Sequence, residues 1–181
     1  VVQENYNGIS TVNGHSYAEK TTNNTNFALL VSERFTEPFK EPIQYGQHIA
    51  RLANMLAGGI LVQRFGDLLD GRRSTPERIK SSIIKPTLTC ATPGDLSLVI
   101  PYRQMTSIIE MLQALDKVCP GTASRYTLLY GIEVKFYSAR VKLTNKLETE
   151  GVKNLFAIGD GAGVTRGLIQ ASASGVHVAR T

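Results

Sequence analysis

The sequence predicts an α+β fold, a mixed sheet packed with amphipathic helices, and three observations carry that expectation. Two stretches, 44–56 and 105–115, repeat apolar residues at helical spacing. Short apolar or alternating runs at 27–31, 60–65, 96–100 and 127–141 read as strands. These helices and strands mix without strict βαβ alternation up to about residue 145, which disfavours a purely parallel sheet. With 181 residues, 42% of them hydrophobic and 19% charged, the chain has enough apolar material for a core.

Taken in order, residues 1–19 are rich in Asn, Gly, Ser and Thr, and Asn13-Gly14 between β-prone stretches is a hairpin signal. The run Phe27 to Val31 has the continuous apolar character of a strand buried on both faces, and Pro38 and Pro42 break regular structure after it. From Gln44 to Leu56 the residues Tyr45, Ile49, Leu52, Ala53 and Leu56 form one helical stripe, which Gly58-Gly59 ends. Ile60 to Phe65 returns as a strand, and Gly66 to Ser74 is a polar loop. Ser74 with Glu77, and Pro76 between them, resembles a capping box that opens a short helix to about Ser82.

Pro93-Gly94 marks a turn, and Leu96 to Ile100 reads as a strand stopped by Pro101. Met105, Ile108, Ile109, Leu112 and Leu115 then share a helix face that Pro120-Gly121 closes; such a stripe belongs to a core more often than to a cofactor site. In Thr127 to Val141, Ile132, Val134 and Phe136 alternate with Glu133 and Lys135, the pattern of a strand with one wet face.

Several function classes lose support at this level. No apolar run is long enough for a bilayer span and no signal-peptide pattern is present, so a cytoplasmic protein with no membrane partner is expected. The two cysteines, Cys90 and Cys119, are far apart and read as small buried hydrophobes rather than a redox pair. Three histidines, His15, His48 and His177, lack ligand spacing, so no metal site is expected. A net charge of +5 invites anionic partners, yet only Arg64, Arg72 and Arg73 lie close together. Without interleaved aromatics or an RNA-binding motif, a nucleic-acid-binding or interaction module is the second reading and not the first.

The final thirty or so residues differ in character. An apolar run, Asn154 to Ile158, ends in Gly159-Asp160, then Gly161-Ala162-Gly163 and Thr165-Arg166-Gly167 lead into a helix of small residues from Leu168 to Arg180. A strand, a glycine turn and a helix in this order suit a polyhydroxyl or anionic ligand. Glycines let backbone N–H groups approach closely, a helix N-terminus adds positive potential, and Asp160 can accept hydrogen bonds from hydroxyls. The plainer alternative is a tight turn with Asp160 as a helix cap.

The string Leu155 to Asp160 resembles the second FAD fingerprint of glutathione-reductase-type flavoproteins. The longer string from Gly159 to Gly175, with Leu128 to Ser138 and Leu61 to Thr75 upstream, is similar to a narrower group of bacterial FAD-dependent dehydrogenases. The resemblance implies that Asp160 binds the ribityl chain and that Gly159, Gly161, Gly163, Thr165, Arg166 and Gly167 line the flavin. It implies a division into an inserted substrate or cap domain, 1–148, and a Rossmann-like segment of the FAD-binding domain, 149–181. The first fingerprint, GxGxxG, is absent from this sequence. With no initiator methionine at Val1 and Thr181 inside a helical pattern, the chain is expected to be the C-terminal piece of a larger oxidoreductase. FAD is then expected in that full-length protein and not in this piece, which alone would be inactive and free to self-associate. The implied partners are a small-molecule substrate and NAD(P)H. No catalytic residue is assigned; Arg103, Tyr130, Tyr137 and Arg140 are the polar groups near strand ends that could reach a substrate.

Overall fold

The computed structural model describes residues 1–136 and 140–180. Its compact units are Val1–Val134 and Lys135–Thr181, so the second begins within the stretch that the sequence ascribes to the cap. The secondary structure is mixed: short strands and helices, with a small sheet containing both parallel and antiparallel pairs, an α+β arrangement.

The first unit opens with a hairpin of β1 (Val2–Tyr6) and β2 (Ile9–Asn13), paired antiparallel from Val2 opposite Asn13 to Tyr6 opposite Ile9. Its turn is Asn7-Gly8, with φ of 49° and 76°, because a two-residue hairpin loop of this hand needs left-handed backbone at both central positions. The expected turn at Asn13-Gly14 is therefore one pair too late; Asn13 ends β2. Helix α1 (Pro42–Ala57) starts with Pro42 in its first turn, where a missing N–H costs nothing, and ends at Gly58. Asn54 on α1 accepts from the Ser10 amide at 2.8 Å and donates to the Ser10 carbonyl at 2.9 Å, which holds the hairpin against the helix.

β3 (Leu61–Arg64) is the central strand of the second sheet, parallel to β4 (Thr92–Pro93) and antiparallel to β5 (Leu128–Gly131). Its Leu61, Val62 and Gln63 are all buried. Helices α2 (Phe65–Leu69) and α3 (Pro76–Lys80) follow, and α4 (Tyr102–Asp116) supplies Met105 and Leu112 to a core shared with Ala53, Leu61, Phe65 and Leu96.

Three expected strands differ. The run 27–31 is not a strand: only Leu29 packs against the core, while Phe27, Leu30 and Val31 are exposed. Apolar composition signals burial, but a strand also needs a hydrogen-bonding neighbour. Leu96–Leu98 is a 3-10 turn, since Asp95 accepts from the Ser97 amide and the buried Leu96 and Val99 are three residues apart, which suits a helical step. The strand expected over 127–141 pairs only through Leu128–Gly131; the Ile132 carbonyl accepts from the Val12 amide of β2, which ends the ladder with β3.

In the second unit the apolar run 154–158 makes one isolated antiparallel bridge, Phe156 with Glu148, instead of a strand. The Thr149 amide donates to the Leu155 carbonyl at 2.8 Å and the Ala157 amide to the Leu147 carbonyl at 3.1 Å, so the run closes on a local loop. Leu155, Phe156 and Ile158 are all exposed, which is why an apolar pattern alone does not make a sheet strand here. Helix α5 (Leu168–Ala179) follows where the sequence places it.

Leu112, 1% exposed in the core of the first unit, is a direct test of this packing. Leu112→Ala should lower unfolding free energy by about 2–5 kcal/mol in a urea titration; a smaller loss would mean that α4 does not seal the core.

Candidate functional site

The glycine segment of the second unit brings the expected cofactor residues together. Gly159 has φ 73° and ψ −168°, a backbone region that essentially only glycine enters, and there the chain turns from the apolar run into the 3-10 turn Asp160–Ala162. Gly163 closes that turn, its amide donating to the Asp160 carbonyl at 3.0 Å, and the Val164 amide reaches back to the Gly159 carbonyl at 3.3 Å. The Thr165 hydroxyl donates to Asp160 Oδ1, which fixes the carboxylate on the outside of the loop.

Gly167 precedes α5 in extended backbone, and no side chain caps the helix N-terminus. The first turn of an α-helix leaves its amides without intrahelical partners and carries positive potential. Leu168 and Ile169 at that end are 90% and 81% exposed. The small residues of α5 act as the sequence suggests: the Gly159 amide donates to Ser174 Oγ at 3.1 Å, and Ile158 packs by Gly175. Asp160 is thus not the N-cap of α5; its carboxylate is exposed and held by Thr165.

This arrangement fits a polyhydroxyl chain such as the ribityl of FAD. A carboxylate acceptor, a glycine with open space where its Cβ would stand at Gly161, and an uncapped helix start lie within one short loop. Arg166 is exposed beside them.

A second polar cluster surrounds β3 and α2 in the first unit. Asp67 is fully buried, and its carboxylate accepts from Arg72 Nε at 2.9 Å and from Ser74 Oγ at 2.8 Å. Arg78 and Arg64 stand 3.8 and 3.9 Å from it. Asp70 accepts from Arg125 at 2.6 Å and pairs with Arg72 at 3.1 Å. The hydrogen bond from Arg125 holds the Asp70 carboxyl below the usual carboxylate range, and raises Arg125 in turn. Arg64 also lies over the Tyr126 ring, 5.2 Å from its centroid.

The expected basic group of Arg64, Arg72 and Arg73 is therefore tied to carboxylates through its first two members, while Arg78 and Arg125 join it from sequence positions that gave no sign of doing so. The expected capping box shifts by one residue: Thr75, not Ser74, accepts from the Arg78 amide and caps α3, because Ser74 is buried against Asp67.

The remaining candidates scatter. Burial pushes the Tyr130 phenol up to about 12, so it stays neutral across the ordinary pH range. Arg103 is exposed on α4, Arg140 is exposed in the second unit, and Tyr137 lies outside the described residues. Both cysteines are exposed, contrary to the expected burial: Cys90 sits in the turn before β4 and Cys119 beyond the end of α4, where no core reaches them. Among the described residues no cluster of His, Cys, Asp and Glu could hold a metal ion, and no helix is long and apolar enough to cross a membrane.

Removing the Asp67 carboxylate leaves Ser74 and Arg72 without their shared acceptor, and Arg64 and Arg78 without their ion-pair partner. Asp67→Ala should destabilise the first unit by about 2–4 kcal/mol, towards the low side for a broken buried ion pair because Arg72 and Arg78 reach water. Asp70 gives the pH dependence. Its carboxyl titrates lower when folded, so its stabilising contribution is complete above the unfolded aspartate value and is lost as pH falls through the lowered one. Chemical denaturation across that acidic window should show a shallower decline for Asp70→Asn than for wild type; parallel curves would sever the link to Arg125.

Comparison with known proteins places these two clusters in context. The family described as "FAD-dependent protein, C-terminal domain-like" matches residues 1–136, most of the chain. A protein of Clostridium beijerinckii, described as "Uncharacterized protein", is 32% identical over 178 residues, covering 92% of this chain and 32% of that protein. The chain thus spans about a third of the length of that relative. By the extent of the family match, the chain belongs to the FAD-dependent protein C-terminal domain-like family.

Proposed function

We propose that this chain is part of a flavin-dependent oxidoreductase, in which the loop from Gly159 to Gly167 holds the ribityl and flavin end of FAD. The single observation that carries the reading is the exposed Asp160 carboxylate, held by Thr165 in the glycine loop that leads into α5. Family membership supports a flavoprotein, and the bacterial relative's greater length supports a larger parent in which the rest of a nucleotide-binding domain is found.

When bound, FAD supplies hydride or electron transfer. The residues of this chain position it. Asp160 accepts from ribityl hydroxyls, Thr165 keeps that carboxylate from turning away, and the N-terminal amides of α5 stabilise partial negative charge on the flavin. Gly159 allows the chain to turn into this loop, since any other residue at φ 73° strains the turn. Residues ahead of this loop then serve as a domain facing the substrate, and NAD(P)H is the proposed reductant.

In the longer FAD-binding protein that contains this chain, Asp160→Ala should weaken FAD binding roughly tenfold to hundredfold, the range for losing charged hydrogen bonds, with the fold intact. Titration of FAD followed by flavin fluorescence reads the change directly. Unchanged affinity in that variant would place the cofactor elsewhere. The isolated chain should bind FAD weakly, because its sequence has no GxGxxG turn for the pyrophosphate.

A further inference from the structure

Four arginines and two aspartates form one connected ion-pair network in the first unit: Arg64, Arg72 and Arg78 around Asp67, then Arg72 and Arg125 on Asp70. Four guanidinium charges face two carboxylates, so the network carries a net positive charge. The four cations are not equivalent. Arg72 spends Nε on Asp67 and a terminal nitrogen on Asp70, and Arg125 donates to Asp70 and to the Gly66 carbonyl. Arg64 and Arg78 lie 3.9 and 3.8 Å from Asp67, beyond hydrogen-bond distance, and their guanidinium groups donate instead to backbone carbonyls at 3.5 and 3.0 Å.

Both are nevertheless held in place. Arg64 rests on the Tyr126 ring and donates to the Arg78 carbonyl, and Arg78 starts from a capped helix and donates to the Arg73 carbonyl. Arginines held in this way in net positive surroundings, with further N–H groups beyond these bonds, are preorganised for an oxyanion, which accepts several N–H bonds at once. The buried Asp67 keeps the arginines together in the absence of a ligand, and the excess of arginines over carboxylates favours an anion.

We propose that Arg64 and Arg78, over Tyr126, form a binding site for a small phosphate-bearing anion. The site lies wholly in the first unit and is independent of the flavin reading.

Wild-type chain treated with phenylglyoxal, a reagent for exposed guanidinium groups, tests this without a mutation. Inorganic phosphate should slow modification of Arg78, the more exposed of the two, read by peptide mass spectrometry, and leave Arg34 and Arg51 unaffected; chloride at equal ionic strength should not protect. Calorimetric titration of phosphate into Arg78→Gln should show affinity at least roughly tenfold lower than wild type, with Arg51→Gln unchanged. Equal protection by chloride, or no protection, overturns the proposal. Protection by a single-stranded oligonucleotide at concentrations where phosphate gives none would assign the cluster to nucleic acid and also overturn it. A melting curve for Arg78→Gln confirms its fold, and the labelling result stands by itself if that variant fails to fold.

Discussion

A carboxylate shut away from water must find its compensation in the protein, and Asp67 finds it within a few residues of its own chain. Arg72 lies five residues ahead and Ser74 seven, so satisfying Asp67 requires the chain after α2 to curl back on itself. That curl has consequences for the sheet. Ser74 Oγ accepts from the Arg64 amide where β3 ends, and the Ser74 amide donates to the Gly94 carbonyl beside β4. Gln63, also fully buried, takes up the Arg72 carbonyl on one side and the Leu96 amide on the other. One buried charge therefore aligns the loop, both ends of the parallel pair and the 3-10 turn, and gathers the arginines at the surface as a by-product.

The second unit uses a carboxylate in the opposite manner. Asp160 is exposed, and the hydroxyl that donates to it is that of Thr165 on the same loop. Burial decides the difference in role. A group that costs several kcal/mol to leave unpaired is committed to the fold, whereas one in contact with water exchanges partners at little cost. In the same loop the backbone turns at Gly159 with positive φ, which glycine adopts without strain, and α5 starts without a side-chain cap.

The helices were legible because their signals are local. Apolar spacing, Pro42 at the first turn and Gly58 past the last define α1 without reference to the remainder of the chain, and α4 and α5 are defined likewise. The turn at Asn7-Gly8 carried the same Asn-Gly signal as Asn13-Gly14; choosing between them requires knowing which strands pair, and the pairing of Val2 with Asn13 settles it. Strands were legible only where a neighbour exists. Runs at 27–31, 96–100 and 154–158 have strand composition, yet their backbone groups bond to local turns or lie outside any ladder, because pairing is a property of two segments.

By itself the sequence determined the mixed character of the fold, the positions of its three longer helices and the glycine loop that unites Gly159, Asp160 and Gly167, all of which rest on short-range spacing. Tertiary structure alone decided that Asp67 is buried, that Arg78 and Arg125 complete the charge network with Arg64 and Arg72, and that the cysteines face water. The reason is range: helix periodicity and turn chemistry act across a few residues, whereas the burial of a charge and the company it keeps depend on segments such as 64–78 and 125–126 that meet only once β3 and β5 have paired.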